Sequence, residues 1–275
     1  MARALPLSLL LVATAARADL PVLEDMLSAR SIAMGGAFRA VTSSSDSPEG
    51  NPATMALAKA YQVSGDGAWD LGTKTWWAGT LVRDSASSPV AAGVGYHGIS
   101  SGQGRNREFS SLNTAALAVP LLEGFSVGAS GRYLIRSGVN PANAVTMDAG
   151  VALKMGDVFT LSASGHNLID TRHPEMSRYY ALAAALETGV FNMAVDARSA
   201  FGPRGLYPTL NGGMELVLGN VFAARGGYAI HTDTLQQFMS YGVGVVTEQG
   251  TVDVSYRQEL KGPGRLLLLS VKMAL

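Results

Sequence analysis

The most constraining feature of this chain is a regular alternation of apolar residues with small or polar ones, which runs from about Tyr61 to Leu275. In 252–257 (Val-Asp-Val-Ser-Tyr-Arg), one set of alternate positions is apolar and the other is polar. Successive side chains of a β-strand point to opposite faces of the sheet. Such alternation over about ten residues per segment is typical of a strand with lipid on one side and a polar lumen on the other. The pattern predicts an all-β fold, an antiparallel transmembrane β-barrel.

About fourteen such segments follow one another, separated alternately by short and by longer connectors. The predicted strands are 60–66, 73–83, 90–99, 107–119, 125–137, 144–154, 159–167, 178–186, 190–198, 207–217, 221–231, 236–247, 251–259 and 265–275. Short connectors of such barrels face the periplasm and longer ones face outward. We therefore expect 155–158, 187–189, 218–220 and 248–250 on the periplasmic side, and 100–106, 137–143, 168–177, 199–206 and 232–235 outside. An even strand number returns both chain ends to the periplasm.

Residues 1–18 have the form of a secretory signal peptide. Arg3 is followed by an apolar run from Leu5 to Ala15 and by Ala16-Arg17-Ala18, a typical cleavage site. The run is shorter than the roughly 20 residues of a membrane-spanning helix. Without Arg3 and Arg17, 19 basic and 21 acidic residues remain, a net charge of −2 that gives no indication of nucleic acid binding.

The composition favours the outer membrane of a Gram-negative bacterium. Charged residues make up 15% of the chain, against roughly 25% in soluble domains. An exported chain without cysteine has no disulfides, so its stability must come from an extensive β ladder. A soluble secreted β-sandwich or small barrel shows the same alternation and stays the alternative.

The predicted lumen face carries nearly balanced charge. Its six basic and five acidic residues are Arg132, Arg136, Lys154, Arg198, Arg225, Arg257, Asp148, Asp196, Glu215, Asp253 and Glu259. A selective open pore would show an excess of one sign. Near balance favours ion pairs that brace the wall in a partly filled lumen, with solvated, unpaired groups as the alternative.

Residues 19–59 precede the first strand and lack the alternation. Helical spacing is shown by Leu20, Leu23, Met26 and Leu27. Asn51-Pro52-Ala53 opens a second short helical stretch that runs to Lys59, and residues 34–37 and 42–48 are typical of turns. A segment too short to fold alone, tethered to the barrel of 60–275, is predicted to be a hatch, or plug, in the lumen.

Two motifs of the hatch segment resemble a known family. Residues 31–41 (Ser-Ile-Ala-Met-Gly-Gly-Ala-Phe-Arg-Ala-Val) and 50–56 (Gly-Asn-Pro-Ala-Thr-Met-Ala) flank a link rich in Ser and Asp. This arrangement looks like the N-terminal hatch of the FadL superfamily (OMPP1/FadL/TodX type), which includes fatty acid transporters and smaller PorV-like barrels. Residues 159–168 and 211–228 resemble strands of the smaller members. The resemblance implies a fourteen-stranded outer-membrane barrel with an internal hatch.

The sequence predicts no enzyme and no cofactor. Residues 93–98 match the dinucleotide pattern Gly-x-Gly-x-x-Gly, but they lie within a predicted strand instead of at a strand-to-helix turn. We interpret these glycines as small residues that ease strand curvature or make room for the hatch. The chain contains no phosphate loop, zinc-protease motif or nucleophile elbow.

All four histidines map to the outer rim or outer loops in this topology: His97, His166, His173 and His231. We interpret them as polar loop residues. A metal site is the alternative, because imidazole is the commonest metal ligand in proteins.

Aromatic and C-terminal residues indicate membrane contacts. Trp69, Trp76 and Trp77 surround the first outer turn, where they would form an interface belt or, alternatively, a packed cluster. The last strand places five apolar residues on one face: Leu267, Leu269, Val271, Met273 and Leu275. It resembles the C-terminal assembly signal of outer-membrane proteins, although it ends in Leu instead of Phe. Predicted partners are outer-membrane lipid, lipopolysaccharide, the assembly machinery and, in one alternative, envelope complex proteins.

The function predicted from these features is hatch-gated passage of small hydrophobic solutes across the outer membrane. The gating residues would be Met34, Gly35, Gly36, Asn51, Pro52 and Ala53. Glycines permit sharp turns near the wall and Asn51-Pro52 fixes a rigid bend, although these residues could equally serve only to seat the plug. The outer connectors are too short for the capture groove of fatty acid transporters. The alternative is therefore a non-transporting PorV-like barrel that anchors a secretion or gliding-motility complex.

Overall fold

The chain folds into a closed antiparallel barrel. The computed structural model describes residues 26–101, 107–137, 141–173, 176–202 and 205–275. In these residues fourteen strands each pair with their neighbours in sequence. The barrel closes where β1 pairs with β14, from Gln62 opposite Ala274 to Asp70 opposite Leu266. The predicted fold is confirmed, and the predicted signal peptide lies outside the described residues.

Strand bounds fix the register of the whole wall. The strands are β1 (Tyr61–Asp70), β2 (Trp76–Asp84), β3 (Ala91–Ser101), β4 (Glu108–Leu122), β5 (Phe125–Ser137), β6 (Ala142–Met155), β7 (Phe159–His166), β8 (Tyr179–Glu187), β9 (Phe191–Gly202), β10 (Gly205–Leu218), β11 (Phe222–His231), β12 (Gln236–Thr247), β13 (Gly250–Glu259) and β14 (Arg265–Ala274). The predicted connector 199–206 is wrong in most of its length, because β9 and β10 continue pairing as far as Gly202 opposite Gly205. Continued pairing satisfies backbone donors and acceptors that a loop would leave to water.

Residues that alternate in the sequence face the lumen and the outer surface in turn. In β13, Val252 and Val254 are exposed on the outer surface, whereas Asp253 and Ser255 are buried in the lumen. The same alternation recurs along the other strands, so the barrel presents an apolar outer surface. An apolar outer band is the surface that a bilayer covers.

The hatch lies inside this wall. It contains α1 (Ala29–Ala33), α2 (Ser47–Gly50) and a 3₁₀ helix (Pro52–Leu57). α1 packs against β11–β14, and the 3₁₀ helix packs against β3–β6. Ser28 caps α1, so Met26 and Leu27, predicted as helical, precede that helix. In the described part of the chain no helix is long and apolar enough to cross a membrane.

One side of the lumen is apolar. Met26, Leu27 and Ile32 of the hatch are buried in one cluster with inward side chains of the wall. Those wall residues include Ala68, Trp77, Ile99, Leu112, Leu134, Ala144, Leu266 and Leu268. The expectation of a polar lumen therefore fails on this side, where hatch and wall share a packed core.

Candidate functional site: the hatch and its two seats

Arginines of the hatch meet carboxylates of the wall on one side of the lumen. Arg30 Nη2 donates to Glu215 Oε1 at 2.7 Å and Nε donates to Oε2 at 3.0 Å. Arg225 also donates to Glu215, at 2.5 Å, and to Asp253, at 2.6 Å. One buried carboxylate thus receives two guanidinium groups, and such charge-assisted bonds are stronger than neutral ones.

The second hatch arginine is anchored in the same manner. Arg39 Nη1 donates to Asp196 Oδ2 at 3.0 Å, and this oxygen also accepts from the backbone N–H groups of Phe38 and Arg39. The guanidinium lies 4.8 Å from the ring centroid of Phe38 and 5.8 Å from that of Tyr179. We call Arg30 and Arg39, together with Glu215 and Asp196, the charged seat.

A buried carboxylate joins the first two helices of the hatch. Asp46 accepts from Ser28 Oγ at 2.6 Å, from Ser28 N at 3.1 Å and from Ser31 Oγ. Burial raises the pKa of Asp46 above its usual value, and the bonds from Ser28 and Ser31 only partly offset this. The link that the sequence presents as turn material is therefore a connection inside the hatch.

Glu49 connects the hatch to the opposite wall. Its Oε1 lies 3.2 Å from His97 Nδ1 and accepts from Thr114 Oγ1 at 3.0 Å. Burial opposes ionisation of Glu49, but His97 and Arg132 outweigh it and hold its pKa below the usual value. The carboxylate is thus kept charged within the lumen.

At the end of the barrel with the short turns, two wall residues form hydrogen bonds with residues 42–44 of the Ser- and Asp-rich link. Arg83 Nη1 donates to the carbonyls of Thr42 and Ser44, at 2.9 Å and 2.8 Å. Glu187 accepts from Thr42 N at 2.7 Å and from Ser43 Oγ at 2.6 Å. The backbone of the link is held at strand ends on two different sides of the wall.

The 3₁₀ helix touches the wall through backbone instead of charge. Asn51 Oδ1 accepts from Ala53 N at 3.1 Å, which caps this helix, and Asn51 Nδ2 donates to the carbonyl of Val151 at 3.2 Å. A Cβ atom on Gly150 would collide with the Asn51 side chain, and one on Gly128 would lie 2.5 Å from Ala53 N. We call Asn51–Ala53 with Gly128 and Gly150 the glycine seat.

Other wall glycines make room for the hatch in the same way. A Cβ atom on Gly93 would lie 2.7 Å from Pro48. One on Gly95 would lie 3.0 Å from Glu49 Oε1. The glycines of the Gly-x-Gly-x-x-Gly pattern therefore include two that face the hatch, in agreement with their interpretation as space for it.

Met34, Gly35 and Gly36 approach the wall at a separate place. Gly35 and Gly36 have φ of 69° and 81°, a conformation that favours glycine. A Cβ atom on Gly35 would lie 2.6 Å from Tyr228 N, so the turn rests directly on β11. The predicted gating residues all contact the wall in two separate groups, and their gating role stays a prediction.

A groove of about 700 Å³ lies on the outer surface behind the glycine seat. The groove is lined by the side chains of Val127, Val151, Tyr180 and Leu182 and by small residues such as Ala163 and Gly165. The same groove reaches Gly128 and Gly150 of the glycine seat. A thin part of the wall therefore has the hatch on its inner side and a mostly apolar depression on its outer side.

Ion pairs form among several of the predicted lumen charges. Arg225 pairs with Glu215 and Asp253, and Arg132 lies 3.7 Å from Asp148. The remaining positions are more varied. Arg136 pairs with Glu108, Arg198 is buried, Arg257 lies over the Phe238 ring, and Lys154 and Glu259 are partly exposed. The pairs of Glu215 and Asp196 with the hatch were missed, because Arg30 and Arg39 lie outside the strand pattern.

The interpretation of the histidines as polar loop residues is wrong for two of them. His97 and His166 are 1% and 0% exposed. His97 packs edge-on against Trp77, and His166 stacks on Tyr179 with ring centroids 4.3 Å apart. Both face a lumen that hatch and wall residues fill. Within the described ranges, no group of three or more His, Cys, Asp or Glu residues is arranged to hold a metal ion.

The tryptophans divide between the two interpretations given for them. Trp69 and Trp76 are paired across β1 and β2 and are exposed on the outer surface, as in an interface belt. Trp77 is buried in the lumen cluster, as in a packed core.

Comparison with known proteins identifies the barrel type. No family model and no curated protein sequence matches the chain. Similar solved structures are the CymD monoaromatic hydrocarbon channel (TM-score 0.65, 13% identity), the Ralstonia pickettii toluene transporter TbuX (0.65, 14%) and the P. putida toluene transporter TodX (0.64, 12%). Each alignment covers 90% of this chain and 96–97% of the other.

The chain therefore has the fold of these channel and transporter barrels, in agreement with the FadL-like barrel that its hatch motifs predicted. The similar structures bear the names of channels and transporters. The closer likeness to PorV-like members stays a prediction.

Proposed function

We propose that this protein lets small hydrophobic solutes cross the outer membrane, and that its hatch gates their passage at the glycine seat. The observation that carries the proposal is the coincidence of the wall groove with that seat. Asn51 donates to the Val151 carbonyl from the lumen, while the Val151 side chain lines the groove outside. The hatch thus contacts the wall at the place where the outer surface of the wall has a groove suited to an apolar molecule.

The contacts at this seat suit a part that moves. Asn51–Ala53 meets the wall through neutral hydrogen bonds and through close approach to Gly128 and Gly150. Neutral hydrogen bonds contribute only about 0.5–1.5 kcal/mol each. Displacing this segment costs far less than separating the buried charges of the other seat. The toluene and hydrocarbon channels with the same fold support an apolar solute.

Toluene entry into vesicles that contain lipopolysaccharide tests the proposal. The samples are empty vesicles, vesicles with the wild-type protein, and vesicles with Asn51→Ala. Asn113→Ala is a matched control, since Asn113 also donates to a backbone carbonyl, that of Tyr133, but on the outside of the wall. We expect the wild type to exceed empty vesicles, Asn51→Ala to be several-fold faster than the wild type, and Asn113→Ala to equal it.

The outcomes separate passage from gating. Entry no faster than in empty vesicles for all three proteins would remove the transport function and leave the anchoring of an envelope complex as the surviving hypothesis. Entry above empty vesicles that is equal in wild type and Asn51→Ala would retain passage and remove gating at this seat.

A further inference from the structure

Four consecutive short turns of the barrel share a sequence pattern. Each contains a glycine with positive φ and ends in a phenylalanine that begins the next strand. The segments are 122–125 (Leu-Glu-Gly-Phe), 155–159 (Met-Gly-Asp-Val-Phe), 187–191 (Glu-Thr-Gly-Val-Phe) and 218–222 (Leu-Gly-Asn-Val-Phe). They connect β4 to β5, β6 to β7, β8 to β9 and β10 to β11, so they are neighbours along half of the rim.

The apolar residues of these turns point away from the lumen. Phe222 pairs with Leu218 and Val245, and all three are exposed on the outer surface. Leu122 is 72% exposed, Val190 57% and Phe222 60%. We call these four turns the apolar arc. Next to its glycine, each turn also carries a polar residue: Glu123, Asp157, Thr188 and Asn220.

The other half of the same rim has a different composition. The turn between β2 and β3 is 85–90 (Ser-Ala-Ser-Ser-Pro-Val), and the turn between β12 and β13 consists of Glu248 and Gln249. Neither contains an aromatic residue. Between them lie Lys59 and the seam of β1 with β14, where Met273 and Leu275 are exposed. The turns of the rim are therefore apolar on one half and mainly polar on the other, where Val90 is exposed at the end of its turn.

We infer that the apolar arc is embedded in phospholipid of the inner leaflet, whereas the two polar turns on the other half of the rim stand in water. The arc continues the outer wall: Phe191 is followed on its face by Met193 and Val195, which are exposed on the surface that lipid covers. Apolar area of this extent is unfavourable in water. Aromatic residues flank the apolar band of membrane barrels. Apolar flanks that include phenylalanine, with a polar residue at the tip, fit the boundary between acyl chains and headgroups.

The inference places one side of the barrel deeper in the bilayer than the other. The arc spans β4–β11, and the wall groove lies within that span, on β5–β10. Lipid around the apolar arc would therefore adjoin the groove on its side toward the short turns. This holds whether or not the groove carries a solute.

Single-cysteine labelling tests the inference, because the chain contains no cysteine of its own. Val190→Cys and Val221→Cys lie in the apolar arc, and Gln249→Cys is the matched position in the polar half, since each directly precedes the first residue of a strand. Each variant is labelled with an environment-sensitive fluorophore and reconstituted in phospholipid vesicles with iodide on both sides. Heat-modifiable gel migration verifies that each labelled barrel is folded.

We expect iodide to quench the labels at 190 and 221 several-fold less than the label at 249, and lipid-borne nitroxide to show the reverse order. Equal iodide quenching at all three positions would overturn the inference, because the arc would then stand in water. Protection at 190 and 221 that vanishes on dilution into excess lipid, with energy transfer between labelled copies, would also overturn it and assign the arc to a second copy of the chain.

Discussion

The two seats of the hatch hold it by different physics. On one side, Arg30 and Arg39 place guanidinium groups on buried carboxylates of β9 and β10. On the other side, Asn51–Ala53 lies against glycines of β5 and β6 with neutral hydrogen bonds. Separating a buried ion pair leaves a charge without a partner in a poorly polar site. Moving Asn51–Ala53 away from Gly128 and Gly150 costs little more than the free energy of a few neutral contacts.

We expect this difference to divide the hatch into an anchored part and a part that can move. A carboxylate that receives several charged and backbone donors resists displacement, so the charged seat fixes the position of the hatch in the barrel. The glycine seat determines how closely the hatch approaches the thin wall behind the groove. Four changes test this division, and the expected effects decrease from the first to the last.

The largest effect is expected from Asp196→Ala in the charged seat. It leaves Arg39 buried without its carboxylate and removes the acceptor of two backbone N–H groups. We expect the hatch to lose about 3–5 kcal/mol of its free energy of unfolding. Hydrogen exchange of residues 28–57 measures the loss.

Glu108→Ala is the control for this change, because its pair with Arg136 is partly exposed and should contribute only about 0–1 kcal/mol. Equal exchange rates in the two variants would show that the charged seat is not the anchor.

An intermediate effect is expected from Gly150→Ala in the glycine seat. The new Cβ atom meets the Asn51 side chain, and overpacking of this kind costs about 1–3 kcal/mol. Protection should fall in the 3₁₀ helix Pro52–Leu57 and stay unchanged in α1. Gly131→Ala on β5 serves as the control, since its Cβ atom would meet nothing within 4 Å. If α1 loosened together with the 3₁₀ helix, the division into two parts would be wrong.

A smaller effect is expected from Ser28→Ala. Ser28 caps α1 and donates to Asp46, so it connects two pieces of the anchored part. Loss of an N-cap typically costs about 1 kcal/mol. Hydrogen exchange measured at increasing temperature should show the loss of stability in α1 and α2 only. Ser88→Ala, on the exposed turn between β2 and β3, should leave both helices unchanged.

The smallest effect is expected from pH acting on Glu49. Its pKa is depressed, so its contribution to stability is complete above the unfolded value of about 4.3 and is lost as the pH falls through the lower folded value. The wild-type hatch should therefore become more sensitive to pepsin below about pH 4. Asp46 acts in the opposite direction, because its raised pKa makes protonation favour the seated hatch.

Glu49→Gln isolates the contribution of Glu49, since Asp46 titrates in both proteins. The variant should start less stable than the wild type and change less between neutral and acid pH. A variant with the same acid sensitivity as the wild type would assign that sensitivity to other groups.

The barrel could be predicted because its signal is local. The alternation within Val252–Arg257 is enough to assign its lumen-facing and outward-facing residues, and the same holds for each other strand taken alone. Local signals fail at strand ends, where pairing with a neighbour decides. The continuation of β9 to Gly202 depends on its partner Gly205, and that pairing is absent from the pattern of either strand alone.

The seats could not be predicted because their partners are distant in sequence. Arg39 and Asp196 are 157 positions apart, and Arg30 and Glu215 are 185 apart. No periodicity connects such pairs. Asn51-Pro52-Ala53 was recognisable as a motif, but Gly150 and Gly131 look alike in the sequence, and only the fold shows that one faces the hatch. His97 and His166 were misplaced because the filling of the lumen by the hatch is a tertiary property.

The seam between β1 and β14 has a consequence for how the molecule is assembled. Ala29 N donates to Ser270 Oγ, 241 positions later, and Leu275 N donates to the carbonyl of Tyr61. Contacts between residues so far apart close very large loops, and their entropy cost must be met before they form. The hatch, which is synthesised first, therefore lacks this contact until the last strand, β14, is present. The bond from Ala29 to Ser270 can therefore form only when β14 is in place, so the strand that closes the wall also supplies a contact that holds the hatch.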